Sequence, residues 1–225
     1  MYRFEFPAAR VCDFCREAEL IEQDERKARV LLAQAEIPKA YAECSFADFA
    51  VEPGTQHAFT MCSRWSADVR HERRERPVGR GLLLYGPEGS GKTHLAVAIL
   101  KEVVYARSIK SLFLNVPDWL NSVREAWHGE GADQPPNPNG YELIVIDDLG
   151  AENATAWSRE RIYSLINHRW QNDLFTLITT NLTPAEIRAK LGRATASRIT
   201  TLCANVPFEP QHDYRELLAK AAEVR

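Results

Sequence analysis

The stretch Gly86-Pro-Glu-Gly-Ser-Gly-Lys-Thr93 constrains the fold of this chain more than any other feature. It lies between a short apolar run and an amphipathic stretch, and it matches the phosphate-binding pattern G-x-x-x-x-G-K-S/T. Its glycines allow successive backbone N–H groups to turn inward around phosphate oxygens, at the positive end of the helix that follows. We expect Lys92 to reach the outer phosphates and the Thr93 hydroxyl to hold magnesium. The residues predicted to contact a nucleotide here are Gly86, Pro87, Glu88, Gly89, Ser90, Gly91, Lys92, Thr93 and His94.

Short apolar runs alternate with amphipathic stretches from Gly81 onward. This alternation is typical of a parallel sheet flanked by helices. The buried strands predicted from it are residues 82–85, 111–115, 143–147 and 175–180. The helices predicted from it are residues 92–107, 117–127, 158–171 and 184–191. A polar, proline-rich loop over residues 128–140 interrupts the rhythm.

The region before this alternation is predicted to be helical. Residues 16–36 are rich in helix-forming residues and contain neither Gly nor Pro, and the Ile37-Pro38 pair ends the pattern. A second helical stretch is expected over residues 56–75. We therefore divide the chain into a helical segment and linker at residues 1–55, a possible docking region for a partner, and a nucleotide-binding domain at residues 56–225.

Composition narrows the class of protein. The 225 residues carry 28 Lys and Arg against 31 Asp and Glu, a net charge of −3, so any contact with nucleic acid must come from a local patch. The amino terminus has no apolar signal core, and no apolar run is long enough for a membrane span, which predicts a cytoplasmic protein without a membrane partner.

Cys12 and Cys15 form the only close cysteine pair, and we favour free thiols over a zinc site.

Two acidic residues end the apolar run Leu-Ile-Val-Ile. Packing does not explain them, because carboxylates at the end of a buried strand need a cation or solvent. We expect Asp147 to contact the nucleotide site through magnesium and Asp148 to orient an attacking water. Glu152 is a second candidate for orienting the water. Asn181, after the next strand, is expected to hold the water or the terminal phosphate.

Several blocks of this sequence together resemble a known family. In chain order they are GRGLLLYGPEGSGKTHLAVAI, LIVIDDLGAE, WSRERIYSLINHRW, TLITTNLTPAEIRAKLG, TASRI and DYR. They are similar to the bacterial replicative-helicase loaders, the DnaC/DnaI-like branch of the AAA+ ATPases, which is close to the IstB-like transposition ATPases. The resemblance covers roughly residues 37–215. It implies an α/β P-loop NTPase of the AAA+ (ASCE) type, with a five-stranded parallel sheet flanked by helices. The 27 residues after Arg198 are too few for the helical lid found in many AAA+ proteins, so we expect no full helical lid domain.

The resemblance also implies roles for individual residues. Lys92 and Thr93 match the Walker A motif, Asp147 and Asp148 match Walker B, and Asn181 matches sensor 1. Arg198 matches the arginine finger, which would reach the ATP of a neighbouring subunit, and Arg193 is its nearest competitor. Arg215 lies in a block similar to the family, but we assign it no role.

The function implied by the resemblance is ATP-dependent loading of the hexameric replicative DNA helicase onto single-stranded DNA. ATP and Mg²⁺ are the expected cofactors, slow ATP hydrolysis is the expected activity, and a homo-oligomer is expected in the ATP state. Two alternatives stay open. One is an IstB-like ATP-binding helper of a DNA transposase, and the other is an ATP-gated adaptor with little hydrolysis.

Residues 116–127 admit two interpretations. Trp119 and Trp127 could stack on bases while Arg124 meets phosphate. Alternatively, Trp119, Leu120 and Val123 form one helix face against the core.

Overall fold

The computed structural model describes residues 13–71, 80–129 and 135–210, with side chains for all of these except 13–20 and 128. Within this part, five strands form one sheet in the order β2-β3-β4-β1-β5, and every neighbouring pair is parallel. The strands are β1 (Gly81–Tyr85), β2 (Ser111–Asn115), β3 (Leu143–Asp147), β4 (Phe175–Thr180) and β5 (Cys203–Pro207).

Seven α-helices are described along the same ranges. They are α1 (Asp13–Ala33), α2 (Gln56–Arg70), α3 (Lys92–Arg107), α4 (Val116–His128), α5 (Ala156–Gln171), α6 (Pro184–Leu191) and α7 (Arg193–Leu202). Local signals set several of their starts: Asn115, Thr155 and Thr183 each accept a hydrogen bond from a backbone N–H in the first turn of the helix that follows. None of the described helices is both long and apolar enough to cross a membrane.

The sheet separates two apolar layers, and the alternation of side chains along β1 shows how. Leu82 and Leu84 lie in a core with α1, α2 and α3, whereas Leu83 lies in a second core with α4, α5, α6 and α7. Side chains of successive strand residues point to opposite faces, so a strand buried on both faces appears as an unbroken apolar run. The predicted parallel sheet flanked by helices is confirmed.

Three strands have the bounds that the sequence predicted: 111–115, 143–147 and 175–180. Two helices do as well: 92–107 and 184–191. The first helix ends at Ala33, three residues before its predicted end. The second helix was predicted over residues 56–75 but ends at Arg70; His71 is not helical, and residues 72–75 lie outside the described part. Helix α7 and strand β5 were not located from sequence, since Cys203–Pro207 is short, carries Asn and Pro, and shows no apolar run.

Some predictions concern residues that the structure does not describe. Cys12, the side chain of Cys15, and Arg215 are among these. Among the described residues there is no group of three or more His, Cys, Asp or Glu side chains that could hold a metal ion. The described part ends three residues after β5, so the absence of a full helical lid stays a prediction, as does the boundary at residue 55.

Arg169 on α5 ties two strands together from inside the protein. Its guanidinium is fully buried and donates hydrogen bonds to the carbonyl oxygens of Tyr141, Glu142 and Phe175 and to the hydroxyl of Thr176. Burial lowers the pKa of Arg169 to about 9, which leaves it charged at neutral pH. The charge is therefore solvated by protein oxygens that fix the amino-terminal ends of β3 and β4 against α5.

Candidate nucleotide-binding site

The carboxyl ends of β1, β3 and β4 bring the predicted site residues together. These three strands are neighbours in the sheet, in the order β3-β4-β1. The phosphate-binding loop follows β1, Asp147 ends β3, and Asn181 follows β4. Because parallel strands end at the same edge, residues far apart in sequence meet there, which is where ligands bind in open α/β sheets.

Two glycines of the loop have no room for a side chain. Gly91 has a φ of 87°, and a Cβ atom there would lie 2.5 Å from Cε2 of Phe49. A Cβ atom on Gly86 would lie 2.3 Å from the carbonyl oxygen of Phe208. Any side chain at these positions would displace its neighbours, and it would also strain the backbone at both, since the φ of Gly86 is 149° and that of Gly91 is 87°. The loop is thus packed between the segment before α2 and the end of β5.

Lys92 lies inside the curve of the loop. Its ammonium group donates hydrogen bonds to the carbonyl oxygens of Gly86 at 2.9 Å and Pro87 at 2.6 Å, and it lies 3.2 Å from the Ser90 hydroxyl. The residue is buried, although its charge would normally keep it in water. A buried cation at the amino terminus of α3 makes this loop a favourable place for phosphate.

Asp147 is the most enclosed carboxylate of the site, with 3% of its surface exposed. Its Oδ1 accepts hydrogen bonds from the hydroxyls of Thr93 at 2.9 Å and Thr179 at 2.7 Å. Burial raises the pKa of Asp147, and the neighbouring charge of Asp148 acts in the same direction, while the hydrogen bonds oppose them. A carboxylate beside a hydroxyl is the oxygen ligand set that Mg²⁺ prefers, so these residues fit the expected metal.

Thr179 is a site residue that sequence reasoning did not identify. Its hydroxyl donates to Asp147 and accepts a hydrogen bond of 3.0 Å from the backbone N–H of Asp148. The only signal in the sequence was the pair of threonines before Asn181. Threonine is common in strands, so this signal does not single out a site.

Asp148 adopts a backbone conformation that is rare for its residue type. Its φ is 56°, and its carboxylate lies 3.5 Å from the amide nitrogen of Asn115 at the end of β2. Such left-handed residues persist where the surroundings fix them, here through Thr179, and they cluster at functional sites. The side chain reaches the wall of the cavity described below, as its predicted role requires.

Glu152 and Asn181 take different positions. Glu152 is buried, its Oε2 accepts a hydrogen bond from the N–H of Gly150 at 2.8 Å, and it is not part of the cavity wall. It therefore braces the loop after β3. Asn181 is exposed at the cavity, where its amide donates to Oε1 of Glu88 at 3.2 Å. This contact joins the residue after β4 to the phosphate-binding loop.

A cavity of about 390 Å³ opens over the phosphate-binding loop. Glu88 to His94, Asp148, Ala151 and Asn181 form one side of its wall, and the other side consists of Ala40, Tyr41, Cys44, Asp48, Phe49, Ala50, Glu52, Thr55 and Pro210. Its size is that of a small-molecule site, and its lining combines aromatic rings with a few polar groups. Residues 40–49 were not predicted to belong to the site, and their aromatic content is the signal in the sequence that could have indicated this wall.

His94 joins the two sides of the cavity. Its Nε2 lies 2.7 Å from the carbonyl oxygen of Ser45, and its ring meets that of Phe49 edge to face at 5.5 Å. His94 is at the start of α3, directly after Thr93. The segment before α2 is therefore fixed to the phosphate-binding helix, although that segment belongs to the predicted amino-terminal region.

The structure does not bring Arg198 into this cavity. Arg198 lies on α7, where its Nε donates to Oδ1 of Asn167 at 2.5 Å. Its guanidinium lies over the rings of Tyr163 at 4.9 Å and Trp170 at 5.2 Å. Arg193, the competitor, is exposed at the start of the same helix. Neither arginine lines the cavity of its own chain.

Helix α4 divides its tryptophans between the core and the surface. Trp119 and Leu120 are buried in the core, as one of the two interpretations predicted. Trp127 is 72% exposed. The guanidinium of Arg161 on α5 lies between the rings of Trp127 at 5.8 Å and Trp157 at 5.9 Å, and Arg124 covers Trp157 at 5.1 Å.

Comparisons with known proteins give the same fold and family. The family model described as IstB-like ATP binding protein matches residues 8–208. The crystal structure of the DnaC helicase loader superimposes with a TM-score of 0.65 at 24% identity, covering 76% of this chain and 100% of that one. At this identity the likeness is one of fold, the P-loop AAA+ type.

Curated relatives come from both branches that the sequence resembles. The replicative helicase loader DnaI of Bacillus subtilis (strain 168) is 29% identical over 112 residues, which are 49% of this chain and 36% of DnaI. The putative insertion sequence ATP-binding protein y4iQ/y4nD/y4sD of Sinorhizobium fredii is 28% identical over 181 residues, 78% of this chain and 56% of that protein. The chain thus spans about a third of one relative and over half of the other. With the family model covering most of its length, it belongs to the IstB-like ATP-binding proteins and is similar to the DnaC/DnaI helicase loaders.

Proposed function

We propose that this protein is an ATPase that loads a hexameric replicative DNA helicase onto single-stranded DNA, with ATP as the switch. One observation carries the proposal: Lys92, Thr93, Asp148 and Asn181 line one cavity at the ends of three neighbouring strands, and Asp147 accepts a hydrogen bond from the Thr93 hydroxyl. This arrangement suits phosphoryl transfer, which depends on positioning and electrostatics. A cytoplasmic location belongs to the same proposal, since the DNA and the helicase are found there.

Different residues would bind different parts of the nucleotide. The N–H groups of the loop and Lys92 would hold the phosphates, and Thr93 with Asp147 would hold Mg²⁺, which neutralises charge on the outer phosphates. The buried Asp147 has a raised pKa because burial disfavours its charge, and a cation beside it would relieve that cost. Tyr41 and Phe49 offer aromatic rings to the base on the opposite wall.

Asp148 and Asn181 would supply the catalytic positioning. The carboxylate of Asp148 would orient the attacking water, and its place is set by the hydrogen bond from its N–H to Thr179. Asn181 would exchange its contact with Glu88 for the terminal phosphate or the water. The nucleotide state would thereby be communicated to the loop after β4. Slow turnover suffices for a switch of this kind.

The four-residue ladder on α4 and α5, Arg124, Trp157, Arg161 and Trp127, supports single-stranded DNA as a partner. Its guanidinium and indole groups alternate, and among the described residues no carboxylate lies within 4.0 Å of either arginine. Bases stack on exposed indole rings, and unpaired guanidinium groups attract phosphate. The ladder requires no particular base sequence.

The partner protein separates this proposal from its main alternative, an ATP-dependent helper of a DNA transposase. Curated relatives of both kinds exist, and the same ATPase residues would serve either pathway. The experiment is a pull-down from the native host with tagged protein and ATP, beside Lys92→Ala as control. Recovery of the replicative helicase, dependent on Lys92, supports loading. Recovery of a transposase without helicase would reject it in favour of the helper function.

A second experiment tests the DNA contact. Binding of a fluorescent oligo-dT by Trp127→Ala should be weakened about tenfold, because loss of one stacking platform costs roughly 1–3 kcal/mol. Tyr105→Ala removes another exposed aromatic ring, on α3, and should bind like the parent protein. Equal affinity of all three proteins would remove the ladder from the DNA-binding surface.

A further inference from the structure

We propose that Tyr163, Asn167 and Trp170 of α5 position Arg198 for action on the nucleotide of a neighbouring subunit. The inference rests on the proposed ATPase function and on Arg198 as its arginine finger. It adds three positioning residues, which would hold the guanidinium in one orientation before subunits assemble. The contacts of Arg198 in this structure carry the argument.

The three residues form one face of α5. They follow one another at spacings of four and three, which places them along one stripe of a helix. Arg198 lies across this stripe: its guanidinium carbon is 4.9 Å from the centre of the Tyr163 ring and 5.2 Å from that of Trp170. Between the two rings, its Nε–H is donated to Oδ1 of Asn167. The stripe therefore fixes both the position and the plane of the guanidinium.

The contacts leave part of the guanidinium available. Its Nε is bonded to Asn167, and Nη1 donates to the carbonyl oxygen of Ala194 at 3.4 Å. An arginine has five N–H donors in a planar fork, so donors remain for a phosphate. Among the described residues no carboxylate lies within 4.0 Å of this charge. A surface ion pair, the simplest alternative for an arginine here, is thus not its function in the described structure.

The cluster is also accessible. Trp170 is 41% exposed, and Tyr163, Asn167 and Arg198 are only partly buried. A neighbouring molecule could therefore reach the guanidinium without any rearrangement of the core. A free arginine side chain samples many rotamers, and restricting it to one of them on binding costs conformational entropy. Aromatic rings that order it beforehand reduce that loss and favour the productive geometry.

The first test measures ATP turnover per subunit against protein concentration. The concentration-dependent kcat of Arg198→Ala should be about 100-fold lower than that of the parent protein. Tyr163→Ala and Trp170→Ala should each lower this kcat about tenfold, and the effect should not be on KM. Tyr163→Phe and Trp170→Phe keep a ring under the guanidinium and should recover most of the activity. Arg188→Ala, which removes an exposed arginine on the neighbouring helix α6, is the matched control and should turn over like the parent protein.

A mixing experiment separates positioning from damage to the fold. Asp148→Asn subunits turn over ATP about 100-fold more slowly on this proposal but keep an intact finger. Mixed with them, Tyr163→Ala subunits should recover turnover, because their own sites receive Arg198 from a sound neighbour. A variant that is merely misfolded would not recover. Failure of Tyr163→Ala to recover, in a mixture where Arg198→Ala recovers, would overturn the positioning role.

The outcomes also distinguish the two levels of the proposal. If Arg198→Ala keeps full concentration-dependent turnover, the finger assignment fails and the positioning inference fails with it. If Arg198→Ala is defective while the alanine variants at Tyr163 and Trp170 behave like the parent protein, the ATPase function stands and only the positioning inference is rejected. If Lys92→Ala leaves turnover unchanged, the activity does not come from the cavity, and the proposed function itself fails.

Discussion

The hydroxyl of Thr179 lies 2.7 Å from Oδ1 of Asp147 and donates a hydrogen bond to it. The same hydroxyl accepts the N–H of Asp148, so one side chain on β4 orients both acidic residues that end β3. Such a bridge supports the two carboxylates from the neighbouring strand. Residues that hold others in position this way strongly affect the precision of a site.

Replacing Thr179 by Val should lower ATP turnover about tenfold. Val keeps the shape, but it leaves the N–H of Asp148 without its acceptor and removes one of the two hydrogen bonds to Oδ1 of Asp147. Thr179→Ser, which retains the hydroxyl, should keep most of the activity. Steady-state kinetics of the two variants provides the measurement. Equal turnover in Val and Ser variants would mean that the bridge has no part in catalysis.

Asp148→Asn should reduce turnover about 100-fold while ATP still binds, since it removes the charge that would orient water. Asn tolerates the left-handed backbone at this position, where φ is 56°, so the loop should keep its shape. Phosphate release and binding of a fluorescent ATP analogue are measured side by side. Unchanged phosphate release would place the water-orienting group elsewhere.

Gly91→Ala should weaken nucleotide binding at least tenfold. The added Cβ would lie 2.5 Å from the ring of Phe49, at a φ of 87° that disfavours any side chain. Gly140→Ala is the control, since its Cβ would meet nothing within 4 Å. Isothermal titration with ATP distinguishes them, and comparable affinities in both variants would contradict the tight packing of the loop against residues 40–49.

Arg169→Met should destabilise the fold by about 3–5 kcal/mol, because it removes a buried donor and leaves the Thr176 hydroxyl and three backbone carbonyl oxygens without that partner. Arg159→Met, an exposed change on the same helix, should alter stability by no more than about 0.5 kcal/mol. Urea unfolding followed by circular dichroism gives both values. Similar midpoints for the two variants would show that the buried guanidinium is dispensable.

The contribution of Cys62 to the stability of the fold should fall as pH rises above about 8.5, the ordinary pKa of a cysteine thiol. Burial raises the pKa of Cys62, so above that pH the unfolded chain loses a proton that the folded chain keeps. The contribution of Cys62 to the free energy of unfolding is fully present below the pKa of its thiol in the unfolded chain. Above that pKa the contribution decreases by about 1.4 kcal/mol per pH unit.

Cys62→Ala removes this contribution, and its unfolding free energy should vary less steeply between pH 9 and 10 than that of the parent protein. Urea titrations at both pH values measure the difference. Parallel pH dependences in the two proteins would mean that the Cys62 thiol ionises equally well in the folded state.

The nucleotide-binding elements were predictable because their signals are local. Residues 86–93 combine glycines and a lysine at a spacing that only a tight phosphate-binding loop requires, and four apolar residues before Asp147 specify a strand buried on both faces. Helix α6 was found with its correct bounds, since Thr183, Pro184 and Gly192 mark its two ends. Strand β5 carries no such pattern, and its place beside β1 depends on pairing across the sheet.

The sequence by itself determined the fold class, the order along the chain of the first four strands and of the helices up to α6, and the residues that match the ATPase motifs, because periodicity and spacing are properties of neighbouring residues. Only the tertiary structure decided that Thr179 bridges Asp147 and Asp148, that residues 40–55 form the far wall of the cavity, and that Arg198 lies across α5. These relationships depend on which strands and helices pack side by side. Contacts between distant segments leave no regular spacing in the chain, so they become visible only once it is folded.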